Sequence, residues 1–178
     1  MSIDQISHRY AKSLYALALD QGSVEEVYGA LQALGKIITQ NTDFRDFLSN
    51  PLLKENDRAH VLRAVFSGKL PALVEQFLFF INCKARLNML AHMITSFDAL
   101  YLTAHNSVRA EIQIALPLEM SVREKILEQL SKKYHKQVLA QWHIRKEILG
   151  GFRILIEGRL HDYSFTNQLE QYRNQVLR

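Results

Sequence analysis

Residues 105–116 read His-Asn-Ser-Val-Arg-Ala-Glu-Ile-Gln-Ile-Ala-Leu, and the hydrophobic period of the chain changes within this stretch. Before it, apolar residues recur every three or four positions, as they do along one side of a helix. From Val108 to Leu116 they alternate with polar residues, which predicts a half-buried β-strand. The sequence therefore predicts two modules, residues 1–105 and residues 106–178.

The first module has the pattern of a six-helix bundle. Its first helix carries an apolar stripe of Ile3, Ile6, Tyr10, Leu14 and Leu17, and Ser2 with Gln5 has the spacing of a capping box. Helix-breaking residues separate the later segments. The other five helices are expected to start near Ser23, Phe44, Glu55, Pro71 and Leu87.

The second module has the order strand, helix, strand, strand, helix. A helix begins at Ser121, alternating apolar residues occupy 138–144 and 152–156, and a last helix follows Ser164. This β-α-β-β-α order predicts a small α+β module. The predicted fold class is therefore mainly α, with an N-terminal six-helix bundle followed by the α+β module.

Composition favours an ordinary folded chain. Of the 178 residues, 48% are hydrophobic and 22% are charged, which argues against disorder. Cys83 is the single cysteine, so an intrachain disulfide is excluded and a reducing compartment is favoured. The first residues show no signal peptide. The apolar run 77–81 is far shorter than the roughly 20 residues of a membrane span, so we expect no insertion into a bilayer.

Sequence motifs for catalysis are absent. The chain has no phosphate-binding loop or dinucleotide fingerprint, and its seven histidines lack metal-ligand spacing, so no cofactor or metal is expected. Cys83 has apolar neighbours in sequence and is interpreted as an inert core thiol. His161, Asp162 and Ser164 include triad residue types, but a helix cap at Asp162 or Ser164 is the favoured interpretation. Together these features favour a binding protein.

Two helices of the bundle have surplus apolar surface. The fifth helix has an apolar arc wider than the ~100° that a one-sided surface helix needs. Either its own bundle surrounds it, or one flank lines an open groove for a partner helix. On the first helix, Ala11, Tyr15 and Ala18 form a second flank that suits close helix approach, although alanine is also simply a good helix former.

Positive charge is concentrated in the second module. Residues 106–178 hold twelve basic and eight acidic side chains, whereas residues 1–105 hold ten of each. Lys125, Lys132 and Lys136 are predicted to share one helix face, which is either simply solvated or binds an acidic protein or nucleic-acid phosphates. Nucleic acid is disfavoured because no aromatic side chains interleave with these lysines.

Four segments, in order along the chain, match one family pattern. They are residues 9–18 (Arg-Tyr-Ala-Lys-Ser-Leu-Tyr-Ala-Leu-Ala), Asn50-Pro51, residues 82–87 with Arg86-Leu87, and residues 148–154 (Ile-Leu-Gly-Gly-Phe-Arg-Ile) followed by Gly158 and Asp162-Tyr163-Ser164. This pattern resembles the delta subunit of F-type ATP synthase, the family of the mitochondrial oligomycin-sensitivity-conferring protein. Tyr163 departs from it, because glycine is common there. The Gly150-Gly151 pair also fits a hairpin turn or a bulge.

The resemblance implies a non-catalytic, monomeric stator subunit in the peripheral stalk, which supports ATP synthesis coupled to proton transport. It implies a peripheral protein at the cytoplasmic face of the bacterial inner membrane. The first module would accept the N-terminal helix of the alpha subunit between its first and fifth helices, and the second module would meet the b subunits. The residues carried over to the alpha-side groove are Tyr10, Ala11, Leu14, Tyr15, Ala18, Val74, Phe77, Leu78 and Ile81. Those suggested for the stalk contact are Lys125, Lys132 and Lys136.

Two alternative functions remain open from the sequence. One is a basic adaptor that binds nucleic acid through the lysines of the second module. The other is a small hydrolase built around Cys83 or His161.

Overall fold

The computed structural model describes residues 2–167, 169 and 173. It divides into two compact units, Met1–Tyr101 and Leu102–Arg178. The first is helical and the second contains a four-stranded sheet, so the predicted fold class is confirmed. The helices of the first part are α1 (Ile3–Asp20), α2 (Val24–Gln40), α3 (Thr42–Ser49), α4 (Glu55–Phe66), α5 (Ala72–Cys83), a 3-10 turn (Leu87–Met89) and α6 (Leu90–Ala104).

Local sequence explains where several helices begin. The Ser2 side chain accepts a bond from the Gln5 amide at 3.3 Å, and the Gln5 side chain accepts one from the Ser2 amide at 3.3 Å, as a capping box predicts. Asn41 caps α3 by accepting a 3.0 Å bond from the Phe44 amide. Pro71 directly precedes α5, where its fixed φ and missing N–H are harmless.

The buried face of α1 differs in part from the predicted core stripe, which shares only Leu14 with it. Ser7, Ala11, Leu14 and Ala18 form its buried face. Leu17, expected in the core stripe, is 49% exposed. The difference has a packing cause: small side chains such as Ala11 and Ala18 allow neighbouring helices to approach α1 closely, and these helices then cover them completely. The core stripe predicted for α2 is buried at Val27, Leu31, Leu34 and Ile38.

A polar and aromatic cluster joins α2 to α6. The Tyr101 hydroxyl lies 2.9 and 2.8 Å from the two carboxylate oxygens of Glu25. The Tyr101 ring stacks on Tyr28 with centroids 3.7 Å apart. The Tyr28 hydroxyl and the Gln32 amide each donate to Asp98 Oδ1 at 3.0 Å. Two sets of hydrogen bonds, linked by the stacked rings of Tyr28 and Tyr101, connect α2 to α6, and we expect them to fix the relative position of the two helices.

We expect the Tyr101 cluster to make stability fall at high pH. Burial, followed by the acceptor Glu25, raises the pKa of Tyr101 to about 12. An unfolded tyrosine ionises near pH 10, so this contribution is complete below about pH 10 and is lost as the pH rises through about 12. Its size is roughly 2–3 kcal/mol.

The measurement is urea unfolding followed by helical circular dichroism between pH 9 and 12. In Tyr101→Phe the dependence should be shallower, because the ionising hydroxyl is gone. If the free energy of unfolding fell equally steeply with pH in both proteins, the pH dependence would come from groups other than Tyr101.

The second unit is a mixed sheet with one crossover helix. Its strands are β1 (Ser107–Ile114), β2 (Gln137–Ile144), β3 (Phe152–Ile156) and β4 (Arg159–Asp162), and α7 (Met120–Tyr134) connects the first two. The strand order is β2-β1-β3-β4. Strand β1 is parallel to β2, with Val108 opposite Val138, and antiparallel to β3, with Ile112 opposite Ile154. The predicted alternation in β1 is observed, because Val108, Ala110, Ile112 and Ile114 are buried.

Strand β4 was not predicted. A two-residue turn at Glu157-Gly158 joins it to β3, and both turn residues have positive φ, +49° and +75°. Ile156 then pairs with Arg159. Paired positive φ values are typical of the tight turns that suit hairpin twist. Residues 165–167 are helical, and most of the last predicted helix lies outside the described residues.

The Gly150-Gly151 pair allows a close approach of two chain segments. A Cβ on Gly151 would lie 2.3 Å from the carbonyl oxygen of Tyr163, and the φ of Gly151 is +81°. A Cβ on Gly150 would lie 2.5 Å from the Phe165 ring. The Tyr163 amide donates to the Phe152 carbonyl at 2.9 Å, which holds this segment next to the pair. Gly151 therefore requires a residue without a Cβ, because its close contact is with backbone, whereas the contact at Gly150 is with a side chain that is 57% exposed.

Candidate partner-binding groove between α1 and α5

An open groove of about 480 Å³ runs between α1 and α5 in the N-terminal unit. We call it the α1–α5 groove. Its lining residues are Arg9, Tyr10, Ser13, Leu14, Leu17, Leu73, Gln76, Phe77, Phe80 and Arg86.

Helical spacing explains the composition of the groove. The lining positions recur at intervals of one, three, one and three residues on α1 and of three, one and three residues on α5, which places each set on one face. Leu14, Leu73 and Phe77 form a nearly buried floor. Leu17 from α1 and Phe80 from α5 are 49% and 51% exposed. The free chain thus leaves large apolar side chains half-covered on both sides of the groove, which is typical of an interaction surface.

A left-handed turn after α5 brings Arg86 to the groove. The Arg86 amide donates to the Ile81 carbonyl at 2.9 Å and the Ala85 amide to the Asn82 carbonyl at 2.8 Å. This pair of bonds is a Schellman cap, and Ala85 takes the left-handed position with φ +53°. Alanine is disfavoured there compared with glycine. The turn directs the chain back to the groove at Arg86.

Arg86 holds Tyr10 in place at the rim. Its Nη1 donates to the Tyr10 hydroxyl at 2.6 Å, and its guanidinium carbon lies 5.3 Å from the centre of that ring. On the other side, Tyr10 packs against Phe80 with ring centroids 5.9 Å apart. The three side chains form an aromatic and cationic rim. The described lining residues include Arg9 and Arg86 but no carboxylate, which favours an occupant with acidic groups.

The structure distributes the nine residues predicted for the alpha-side groove between groove and core. Tyr10, Leu14 and Phe77 line the groove. Tyr15 is half-buried and meets Phe97 edge-on, with centroids 5.5 Å apart. The other five are buried in the core: Ala11, Ala18, Val74, Leu78 and Ile81. They face away from the groove because each is displaced around its helix from the lining positions.

Seven lining residues were not among the predicted groove residues. Leu17, Leu73 and Phe80 belong to apolar stripes in the sequence. Periodicity therefore shows that they are apolar helix positions, but it does not separate partner contacts from core contacts. Arg86 lies in one of the family-like segments. Arg9, Ser13 and Gln76 carry no signal in the sequence that separates them from other exposed helix residues.

The predicted lysine stripe is interrupted. Helix α7 ends at Tyr134, and His135 is left-handed with φ +52°, so Lys136 is not on the helix face of Lys125 and Lys132. Lys136 instead pairs with Glu157 at 2.6 Å, and Lys132 pairs with Glu128 at 2.6 Å. The prediction of one common face was wrong, because it extended the helical period beyond the helix.

The structure gives no support to the hydrolase alternative. Cys83 is exposed rather than in the core, since it lies on the outer side of α5 at its end. A hydrogen bond to Glu55 raises the pKa of the Cys83 thiol, which reduces its thiolate fraction. Ser164 accepts a 3.3 Å bond from the Asn167 amide, as a helix cap does.

Asp162 has a structural role beside that cap. Burial raises the pKa of Asp162, but bonds from Ser164 and from Arg153, at 2.8 Å, outweigh burial and hold the pKa below its usual range. His161 Nε2 lies 2.9 Å from the Tyr134 hydroxyl. Asp162 thus bonds with Ser164 and Arg153, whereas His161 bonds with Tyr134.

The described residues lack two further features. Among them, no group of three or more His, Cys, Asp and Glu side chains has the arrangement of a metal site. No helix in this part of the chain has both the length and the hydropathy of a membrane span.

Comparison with known proteins places the chain in one family. Residues 6–176 match the family model "ATP synthase delta (OSCP) subunit". The ATP synthase subunit delta of Anaeromyxobacter dehalogenans is 34% identical over 174 residues, covering 97% of both chains. That of Clostridium kluyveri is 29% identical over 175 residues, covering 98% of this chain and 97% of the relative.

A solved structure shares the fold. A chain of the Toxoplasma gondii mitochondrial ATP synthase hexamer has a TM-score of 0.70 and 21% identity, with 97% of each chain covered. The family resemblance seen in the sequence is thereby confirmed over nearly the full length. This chain belongs to the ATP synthase delta (OSCP) subunit family, whose members are non-catalytic subunits of the complex.

Proposed function

We propose that this chain is a static connector in the peripheral stalk of a proton-translocating ATP synthase. Its N-terminal unit binds the N-terminal helix of the alpha subunit of the catalytic head, and its C-terminal unit binds the b subunits. The chain then supports ATP synthesis coupled to proton transport by stopping the head from turning with the rotor. It acts as a peripheral protein at the cytoplasmic face of the bacterial inner membrane.

The observation that supports this proposal most strongly is the open α1–α5 groove. Leu17 and Phe80 are half-exposed on opposite sides of it, above a floor of buried side chains. An amphipathic helix fits such a groove through apolar residues at intervals of three and four. Complete burial of a leucine or phenylalanine side chain contributes about 1.5–3 kcal/mol relative to exposure, so covering both favours docking by an appreciable amount.

The predicted groove residues then have two roles. Tyr10, Leu14 and Phe77 touch the docked helix directly, together with Leu17 and Phe80. The buried set of Ala11, Ala18, Val74, Leu78 and Ile81 keeps α1 and α5 packed beneath it, and Tyr15 supports α1 through Phe97. A rigid, preorganised groove slows dissociation, which a connector under torque requires.

On the stalk side, the proposal retains Lys125, Lys132 and Lys136 as electrostatic contacts. All three belong to the C-terminal unit, where the basic excess of the chain lies. Rim charges of this kind mainly affect association rate and partner orientation.

The experiment is reconstitution of ATP synthase membranes from which this chain has been removed. Adding the purified wild-type chain should restore retention of the catalytic head and ATP-driven proton pumping. Phe80→Asp should restore neither, because it places a carboxylate in the groove. Val65→Asp is the matched control, since Val65 is an exposed apolar residue of α4 away from the groove. Retained heads and full pumping in the depleted membranes would contradict the proposal.

A further inference from the structure

Arg86 lies at the α1–α5 groove with most of its hydrogen-bond donors unused. A guanidinium carries five N–H donors. In the described part of the chain, the hydrogen bonding of this guanidinium is limited to the 2.6 Å bond from Nη1 to the Tyr10 hydroxyl. The side chain is half-buried and lines the groove. Its remaining donors are therefore available to a partner that enters the groove.

The surrounding structure fixes the position of this guanidinium. The Schellman cap at the end of α5 sets the backbone direction, with Ala85 in the left-handed position at φ +53°. The guanidinium carbon lies 5.3 Å from the centre of the Tyr10 ring, within the range of a cation–π contact. Arg86 thus has little rotamer freedom left to lose on binding. Such preorganisation favours its use as a recognition group.

A fixed guanidinium selects a carboxylate as its partner. Its planar set of donors matches the two oxygens of an Asp or Glu side chain, and charge-assisted bonds of this kind are about twice as strong as neutral ones. The described residues that line the groove include no carboxylate that would compete. Nearby charge adds to the preference, since the Lys84 ammonium lies 5.8 Å from the centre of the Phe80 ring. The carboxylate must therefore come from the occupant of the groove.

The place of Arg86 along the groove predicts where the occupant carries this carboxylate. On α1 the lining residues run from Arg9 to Leu17, and Arg86 contacts Tyr10 near the first end. Tyr10 and Leu17 are seven residues apart, which is two helical turns and about 10 Å. A helix docked along this wall spans the same distance in about seven of its own residues. Its acidic residue is therefore expected about seven positions from the apolar residue that covers Leu17.

We propose that Arg86 is the specificity-determining residue of the α1–α5 groove and binds a carboxylate of the docked alpha-subunit helix. This inference rests on the proposed function, because it takes the alpha-subunit helix as the occupant. Docking places the ion pair beside Tyr10 and Phe80, where partial burial reduces screening by salt. An equally apolar helix without the acidic residue is rejected, because Arg86 then loses hydration without gaining a partner.

The test is a double-mutant cycle, measured by calorimetry with the full chain and a synthetic peptide of the alpha-subunit N-terminal helix. Each acidic residue of the peptide is replaced in turn by its amide. On the wild-type chain, one of these replacements should weaken binding about tenfold or more. Arg86→Gln should weaken binding of the unmodified peptide by a similar factor, but should change the affinity for that one amide peptide by less than about twofold.

Two further variants separate charge from geometry. Arg86→Lys should recover only part of the affinity, because lysine keeps the charge and loses the planar fork. Arg45→Gln is the matched control, since Arg45 is an exposed arginine of α3 outside the groove. It should leave the affinity for every peptide within about twofold. An intermolecular nuclear Overhauser contact to Leu17 then identifies the covering residue, and the critical acidic residue should lie about seven positions from it.

The failures of the inference and of the proposed function are distinguishable. If Arg86→Gln weakened the binding of every peptide by the same factor, Arg86 would act only by holding Tyr10, and this inference would be overturned while the proposed function stood. If no amide replacement weakened binding to the wild-type chain, the inference would also fail, whatever the stability of the Arg86 variants. A critical carboxylate next to the residue that covers Leu17 would contradict it too. Absence of binding between the wild-type chain and the unmodified peptide would overturn the proposed function as well.

Discussion

Replacing Leu17 by aspartate is expected to abolish binding of the alpha-subunit helix without unfolding the N-terminal unit. Leu17 is 49% exposed in the free chain, so a carboxylate there stays hydrated before binding. A docked helix would bury that carboxylate among apolar side chains without a partner, which costs several kcal/mol. The affinity should therefore fall by about a hundredfold or more, since every 1.4 kcal/mol is tenfold.

The measurement is calorimetric titration of the full chain with a synthetic peptide of the alpha-subunit N-terminal helix. Leu52→Asp is the matched control, because Leu52 is an exposed leucine outside the groove. It should bind as the wild type does. Phe77→Asp is a poorer choice, because Phe77 is nearly buried and its loss would destabilise the core itself. Wild-type affinity in Leu17→Asp would mean that the helix docks elsewhere.

Replacing Gly151 by alanine is expected to destabilise the C-terminal unit by about 3 kcal/mol or more. The added Cβ would lie 2.3 Å from the Tyr163 carbonyl oxygen, which is part of the backbone and cannot rotate away. The positive φ of +81° adds strain for any residue with a side chain. Relief requires the 163–165 segment to move off the glycine pair, and this would break the bond from the Tyr163 amide to the Phe152 carbonyl.

Gly158→Ala provides the matched control. Gly158 also has positive φ, +75°, but a Cβ there would meet nothing within 4 Å. Its substitution should therefore cost only the conformational strain, about 1 kcal/mol. Urea unfolding of the two variants, compared with the wild type, measures the difference. If both variants lost the same free energy of unfolding, the close approach at Gly151 would have no energetic consequence.

Periodicity predicted most of the fold because most elements bury one face. Helix α4 begins at Glu55 and β3 spans Phe152–Ile156, both as expected from the sequence. Strand β4 was missed because Arg159-Leu160-His161-Asp162 is a short edge strand with little buried surface, so its hydrophobic alternation is weak.

The candidate groove was less predictable, for a physical reason. Core and interface both require apolar side chains, so the pattern located α1 and α5 without showing which flank is covered. Periodicity assigns Leu17 to the core stripe, but its side chain is 49% exposed. It assigns Ala18 to the second flank, but this residue is buried. Close helix packing favours small residues in the core face, and this leaves larger ones for a partner. Arg86 reaches Tyr10 because the chain turns at Ala85. A helical projection does not show this turn, so it does not place Arg86 at the groove.

The most direct measurement is an NMR titration of the isotopically labelled chain with the alpha-subunit helix peptide. We predict that the largest shifts occur at groove residues of both helices, such as Leu17, Gln76 and Phe80, and at Arg86, while α7 is unaffected. A saturable peptide complex whose shifts avoid the groove between α1 and α5 would contradict the central claim that this groove is where the chain receives its partner.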